Sequence, residues 1–281
     1  MIFSFLIFLP WADYGSLEEL WTLGFTPRSP DLLLWALRQM THLADGLRVL
    51  HQAGLEMSLE GTDPTTILRF RESKQAEGFG RLVIGGTAKS QKVYATRTGR
   101  RYPTRAPDER ERSRYDAPDS DFKDSRGSMK PYRGQDVWSM GLTFLEFILW
   151  LLYGMDIVED FRGVCKQMAR NSYRGPLDTP SALSPELVEA LKNKPQFSQG
   201  TAWHDLLSLL TGRVLVSMKD RCNAVELHAG MEKIMAVAEE DSAYFCVASS
   251  NPPKRLRDLT AGPRVDYLKV PTPAWKGELK F

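Results

Sequence analysis

The chain has 281 residues, of which 42% are hydrophobic and 26% are charged, and its formal net charge is +2. This composition is typical of a folded globular protein and excludes a largely disordered chain. A near-neutral charge argues against a surface built for nucleic acid, so we expect no nucleic-acid partner. The spacing of Cys165, Cys222 and Cys246 fits no zinc site, and their odd number argues against a disulfide scaffold. These cysteines predict an intracellular location, cytoplasmic or nuclear.

Two apolar stretches have some features of membrane segments. Residues 1–9 lack the basic start and the cleavage site of a signal peptide, so we predict a buried β-strand there. Residues 140–153 carry Glu146 in their middle and are shorter than the ~20 apolar residues that a spanning helix requires. We therefore predict a helix in the protein core and no membrane partner.

Helices dominate the predicted secondary structure. Ser16-Leu-Glu-Glu19 has the spacing of a capping box and predicts a short helix. Ser29-Pro30-Asp31 predicts the start of a long amphipathic helix that ends near His51. Short strands are expected only before residue 90, at 66–70 and 80–84. Further helices are predicted to begin at Asp136 and to cover about 156–170, 184–193, 201–212 and 222–239. The predicted fold class is mainly α, with a few short β-strands near the N-terminus.

Two polar stretches have no sustained apolar periodicity. Residues 90–135 form the first, and within it residues 97–114 carry seven arginines against three acidic residues, a local excess of 7 − 3 = +4. Either a phosphate-binding patch or a solvated loop would have this composition, and the scarcity of interleaved aromatic residues, with Tyr102 alone among the arginines, favours the solvated loop. Residues 240–281 are rich in proline and predict an irregular tail.

Three short motifs follow the predicted strands. They are Tyr115-Asp-Ala-Pro-Asp119, Asp136-Val-Trp-Ser-Met-Gly141 and the segment Lys219-Asp-Arg-Cys-Asn-Ala-Val-Glu-Leu227. With the order of the elements over about residues 3–238, these motifs resemble the large C-terminal lobe of a eukaryotic protein kinase. The resemblance is closest to the divergent kinase-like domains of filamentous fungi. It implies a residual strand and hinge at 1–15, a large lobe at 16–239 whose activation-type segment is 90–135, and no small lobe.

The resemblance also implies roles for individual residues. Arg221 would pair with Asp119, a carboxylate one methylene shorter than the family's glutamate. Asp136, at the start of the buried helix, would hold the neighbouring catalytic loop through backbone bonds, since a carboxylate there can accept from free N–H groups. The implied nucleotide-binding positions are those of the hinge: Pro10, Trp11 and Ala12 along the adenine edge, and Ser16 near the ribose.

The residues that perform phosphoryl transfer are replaced. The family's catalytic loop matches residues 59–68, where the catalytic Asp falls on Gly61, the Lys on Asp63 and the metal-binding Asn on Thr66. The magnesium-binding Asp either falls on Gly85 or is deleted. Phosphoryl transfer depends on these groups, so we expect no intact catalytic residue, no metal site and no cofactor. A shift of register could still supply Glu60 or Asp63 as the carboxylate.

Three functional hypotheses follow. The first is a pseudokinase, a docking or regulatory scaffold with a protein partner. The second is a protein Ser/Thr kinase that uses ATP and magnesium and whose small lobe is encoded upstream of this sequence. The third is a non-functional gene fragment.

Overall fold

A computed structural model describes the helical body of the chain. The described residues are 10–23, 29–52, 57–59, 62–71, 79–85, 91–92, 113–118, 133–172 and 185–245. The strand predicted at 1–9, most of the arginine-rich stretch and the tail beyond residue 245 lie outside them. Glu60, Gly61 and Asp119 also lie outside the described residues.

Seven α-helices and four short strands make up the described structure. The helices are α1 Leu17–Thr22, α2 Pro30–Gln52, α3 Arg133–Tyr153, α4 Met155–Ser172, α5 Pro185–Lys192, α6 Ala202–Leu209 and α7 Ala224–Glu240. The strands are β1 Met57–Ser58, β2 Ile67–Phe70, β3 Arg81–Ile84 and β4 Gln91–Lys92. A π-helical turn, Leu210–Val214, continues α6, and 3-10 turns lie at Pro195–Phe197 and Ser242–Tyr244. The prediction of a mainly α chain with a few short strands is confirmed.

The two predicted helix starts are formed by local capping bonds. In α1, Ser16 Oγ accepts a hydrogen bond from Glu19 N at 3.2 Å, and the Glu19 carboxylate accepts one from Ser16 N at 3.3 Å. In α2, Ser29 Oγ accepts from Leu32 N at 3.1 Å. Each bond spans three residues, and it satisfies an N–H that has no partner within its helix.

The strands form two small antiparallel pairs, and one of these pairs and two helix ends differ from the predictions. β2 pairs with β3 as a hairpin, Ile67 opposite Ile84, and β1 pairs with β4. The pair β1–β4 was not predicted because strands of two residues have no detectable periodicity. β4 also lies beyond residue 90, where no strand was expected. α3 begins at Arg133, earlier than predicted, because its first turn is polar. α6 ends at Leu209 and widens into the π turn.

Helix α3 lies at the centre of the core. Within the described residues it is the single helix long and apolar enough to cross a membrane. Every residue of α3 from Gly134 to Tyr153 is nevertheless buried by other parts of the chain. This burial is what the core helix of a soluble protein shows, and it places Asp136 and Glu146 inside the fold.

The close approach of the π turn to α3 requires a glycine. A Cβ added to Gly141 would lie 2.4 Å from Val214 Cγ1 and 3.2 Å from Leu215 Cδ2. Gly163, on the exposed face of α4, has no atom within 4 Å of an added Cβ.

We expect Gly141→Ala to lower the free energy of unfolding by about 1–3 kcal/mol through overpacking. Gly163→Ala, the control, should raise it by about 0.5–1 kcal/mol. Denaturant unfolding measures both, and an unchanged midpoint for Gly141→Ala would contradict this packing.

Candidate functional site

A buried carboxylate joins the start of α3 to two other segments. Asp136 has no exposed surface, and its Oδ1 and Oδ2 accept hydrogen bonds from Leu59 N at 3.0 and 3.1 Å. Its Oδ2 also lies 3.0 Å from Nε2 of His51, at the end of α2. The end of α2 and the segment that follows β1 are therefore held against the first turn of α3.

The next part of the same loop also bonds to side chains of α3. Ser139 Oγ accepts a hydrogen bond from Thr62 N at 2.8 Å, and Thr143 Oγ1 donates to Thr62 O at 3.5 Å. These bonds satisfy backbone groups of a loop that has no regular partner of its own. Asp136, Ser139 and Thr143 thus form a polar stripe on α3 along which the loop after β1 runs.

Asp63 and Thr66 are engaged in a turn that they form together. Asp63 Oδ1 accepts from Thr65 N at 2.8 Å and from Thr66 N at 3.1 Å, while Thr66 Oγ1 donates to Asp63 O at 2.9 Å. An aspartate that accepts from the backbone two residues ahead stabilises such a turn. Both residues thus bond to the loop itself.

Gly85 follows β3 and packs directly beneath the same turn. Its N–H donates to Thr66 O at 2.8 Å. A Cβ added at this position would lie 2.7 Å from Thr66 O and 2.9 Å from two side-chain atoms of Leu68. A side chain at position 85 would therefore displace the backbone of the turn, and no aspartate fits there in this structure.

The positions predicted to line a nucleotide lie beside β2. Pro10 and Trp11 are exposed, Trp11 to 84%, and Ala12 is half-buried. The turn that follows is bonded to β2 through Tyr14 N to Arg69 O at 3.1 Å. Ser16 is buried, and its hydroxyl is the cap of α1. The structure thus leaves Trp11 open to solvent and engages the Ser16 side chain in its own helix.

Arg221 ties the loop before α7 to the start of α3. Its Nη1 donates to Gly134 O at 3.2 Å, and its Nη2 donates to Val216 O at 2.9 Å. The guanidinium lies over the Trp138 ring, 4.7 Å from the centroid. Its predicted partner, Asp119, lies outside the described residues. The observed contacts hold the loop before α7 against the start of α3 and use the planar, multi-donor geometry of arginine.

A second buried cluster was not predicted from the sequence. We call it the Glu146 network, and it consists of Glu18, Tyr115, Glu146 and Arg162. Glu146 Oε2 accepts hydrogen bonds from Tyr115 Oη at 2.8 Å and from Arg162 Nε and Nη2 at 3.0 and 2.8 Å. Arg162 also donates to both carboxylate oxygens of Glu18, at 2.7 and 2.6 Å. The network therefore connects α1, the segment 113–118, α3 and α4.

Burial sets the electrostatics of the Glu146 network. Burial raises the pKa of Glu146, although hydrogen bonds from Arg162 and Tyr115 oppose the rise. Burial by itself would lower the pKa of Arg162, but hydrogen bonds to Glu18 and Glu146 outweigh it, so the pKa of Arg162 is raised. Burial and the nearby Glu146 charge also raise the pKa of Tyr115. At neutral pH, Arg162 is a cation and Tyr115 is a neutral donor.

The sequence contained one signal of this network. Glu146 interrupts an apolar helix, and a charge buried in a core requires a partner. Arg162, however, lies 16 residues further along, in another helix, and Glu18 is 144 residues from Arg162. No local pattern connects such residues, so the partners could not be assigned before the helices were packed.

The polar side chains of the site bond to the loop that follows β1. Asp63, Thr66 and Asp136 all bond to backbone groups of the loop that follows β1. Among the described residues, no three His, Cys, Asp or Glu side chains come together as a metal site. No protein-family model matches this chain, and no curated protein matches it.

Proposed function

We propose that this chain is a protein-kinase-like large lobe that acts as a pseudokinase, a docking or regulatory scaffold for a protein partner inside the cell. The observation that carries the proposal is the arrangement around Asp136. In the kinase family, an aspartate at the start of the central helix holds the catalytic loop through backbone bonds. Here Asp136 accepts from Leu59 N, and Leu59 opens the segment that the resemblance matches to that loop.

The chemistry of the same loop supports a scaffold over an enzyme. The position matched to the metal-binding Asn is Thr66, and the position matched to the catalytic-loop Lys is Asp63; both are bonded within their own turn. Gly85, matched to the magnesium-binding Asp, has no room for a side chain. Magnesium requires hard oxygen ligands, and phosphoryl transfer requires magnesium and a positioned carboxylate. The bond from Leu59 to Asp136 agrees with the anchor that the resemblance implies, and the replaced groups at positions 63, 66 and 85 favour a scaffold over phosphoryl transfer.

Thermal unfolding with and without magnesium and ATP tests this proposal. A ligand at a hundredfold excess over its dissociation constant adds about 2.7 kcal/mol, which raises the midpoint by roughly 5–10 °C for a chain of this size. We expect a cooperative transition and no magnesium-dependent rise. A rise of that size would overturn the proposal in favour of the ATP-dependent Ser/Thr kinase. A transition without cooperativity would instead favour the non-functional fragment.

Restoring the missing groups provides a second test. Gly61→Asp with Thr66→Asn restores the matched catalytic and metal-binding residues, and we expect no phosphorylation of generic protein substrates from this variant, because position 85 still supplies no ligand. We expect Gly85→Asp to melt below the wild-type chain, since its Cβ meets Thr66 O, and to show no magnesium-dependent rise. A magnesium-dependent rise in Gly85→Asp would show that the site accepts the ion and would contradict the steric argument.

A further inference from the structure

A pocket of about 330 Å³ opens between α6, the π turn and α7. Its apolar lining is formed by Leu209, Cys222 and Gly230, with the exposed Ala229 at its edge. Burial raises the pKa of the Cys222 thiol to about 11, so the thiol is neutral and presents an apolar surface. The pocket belongs to none of the elements that carry Asp136, Gly85 or the Glu146 network.

The walls of the pocket are held in place by the π turn. Cys222 N donates to Arg213 O at 2.8 Å, which closes the loop before α7 against the turn. An added Cβ at Gly230 would lie 2.8 Å from Leu209 Cδ2, so the Leu209 side chain packs directly on the backbone of α7 there. π-helical turns cost hydrogen-bond geometry and occur frequently at functional sites. The bond between Cys222 and Arg213 fixes the backbone on one side of the pocket.

Three charged residues line the pocket, Arg213, Glu226 and Lys233, and their charges indicate which ligand would bind. Arg213 is paired with Glu226 at 3.2 Å, whereas Lys233 is exposed and has no ion-pair partner among the residues that the structure describes. The mouth thus carries two cations and one acid, 2 − 1 = +1. An apolar lining beside the exposed Lys233 ammonium is complementary to an apolar side chain that lies next to a carboxylate.

One exposed apolar residue of α7 lies beside the pocket. Val237 is 46% exposed and follows Lys233 by one helical turn on the same face of the helix. Small-molecule sites enclose most of the ligand surface, and this pocket is open to solvent. An open pocket suits a side chain that projects from a larger partner.

We propose that the pocket between α6 and α7 is a docking site for a protein segment that inserts one apolar side chain and places an adjacent Asp or Glu carboxylate on Lys233. For its biological role this inference rests on the proposed scaffold function. The binding event itself requires no nucleotide and involves none of the loop residues 59–85.

Selection from a random peptide library displayed on phage tests the proposal on the full chain without nucleotide. We expect the enriched peptides to carry an apolar residue within two positions of Asp or Glu. The best peptide is then synthesised, and its affinity is measured by fluorescence anisotropy. Replacing its acidic residue by the amide, or its apolar residue by glycine, should weaken binding at least about tenfold.

Matched variants of the chain locate the binding surface. Lys233→Glu should weaken peptide binding at least about tenfold, and Ala229→Arg, which fills the exposed mouth, should abolish it. Lys192→Glu on α5 and Ala243→Arg in the 3-10 turn after α7 make the same changes outside the pocket and should bind as the wild type does. All four positions are exposed, so melting curves that match the wild type verify folding.

Three results would overturn the docking site: no enriched peptide, enriched peptides without an acidic residue, or equal binding by Lys233→Glu and Ala229→Arg. Failure here is separable from failure of the proposed function. A magnesium-dependent response to ATP would overturn the pseudokinase and leave peptide binding intact. Loss of peptide binding would remove this docking site and leave the nucleotide result unchanged.

Discussion

Arg162→Met is expected to lower the free energy of unfolding by about 3–5 kcal/mol at neutral pH, because the buried Glu146 carboxylate loses the cation that hydrogen-bonds to it and keeps only Arg114, 3.9 Å from its Oε1. For a chain of this size the midpoint of thermal unfolding should fall by about 6–20 °C. Glu146 is 2% exposed, and Arg162 supplies two of the three hydrogen bonds to its Oε2. Differential scanning calorimetry measures the loss.

The pH dependence of this variant has a defined sign. Burial already raises the pKa of Glu146, and removal of Arg162 should raise it further. A carboxyl whose folded pKa lies above its unfolded value binds more protons in the folded state, so the free energy of unfolding falls as pH rises above about 4.3. The difference between Arg162→Met and wild type should therefore grow from pH 5 to pH 8. A constant difference across that range would contradict the role given to Glu146.

Two further variants distinguish the buried pair from its neighbours. Glu18→Gln removes the more exposed partner of Arg162, whose side chain is 24% accessible, and should cost only about 1 kcal/mol. The double variant Glu146→Leu with Arg162→Met removes both buried charges, and it should recover much of the loss because an apolar pair fills the same space. If the double variant melts no higher than Arg162→Met alone, the unpaired carboxylate is not the cause.

Asp136→Ala should lower the free energy of unfolding by about 2–4 kcal/mol, since the Leu59 N–H and the His51 ring lose a buried acceptor. The corresponding fall in the melting midpoint is about 4–16 °C. Exchange of the Leu59 amide with solvent deuterium should become faster at the same time. Faster exchange would show that the loop at Leu59 detaches from α3 while the rest of the protein stays folded.

Graded substitutions at the same position test the mechanism. Asp136→Asn keeps one carbonyl oxygen for Leu59 N, so it should lose less stability than Asp136→Ala. Asp31→Ala changes an exposed carboxylate in the first turn of α2 and should cost about 0.3–1 kcal/mol through the helix dipole. Equal losses for Asp136→Ala and Asp31→Ala would show that Asp136 contributes only as a helix-start charge.

Local chemistry explains which elements could be predicted from the sequence. The starts of α1 and α2 depend on Ser16 and Ser29, whose bonds reach only three residues ahead. The hairpin strands and the later helices carry enough apolar residues to show their periodicity. In contrast, β1 and β4 are two residues each and are formed by pairing across the chain. The π turn depends on how Val214 and Leu215 pack on Gly141, which no local pattern reveals.

The features of the candidate site also fall into those that the sequence predicts and those that depend on tertiary packing. The sequence by itself determined the mainly α composition, the helix caps, the buried course of α3 and the motif that contains Asp136. The tertiary structure decided what Asp136 holds, because Leu59 and His51 lie 77 and 85 residues before it. It also decided that position 85 is closed and that Glu146 has Arg162 as its partner. Partners so distant in the chain become neighbours only when the helices pack, so a sequence reveals that a buried charge requires a partner but not which residue supplies it.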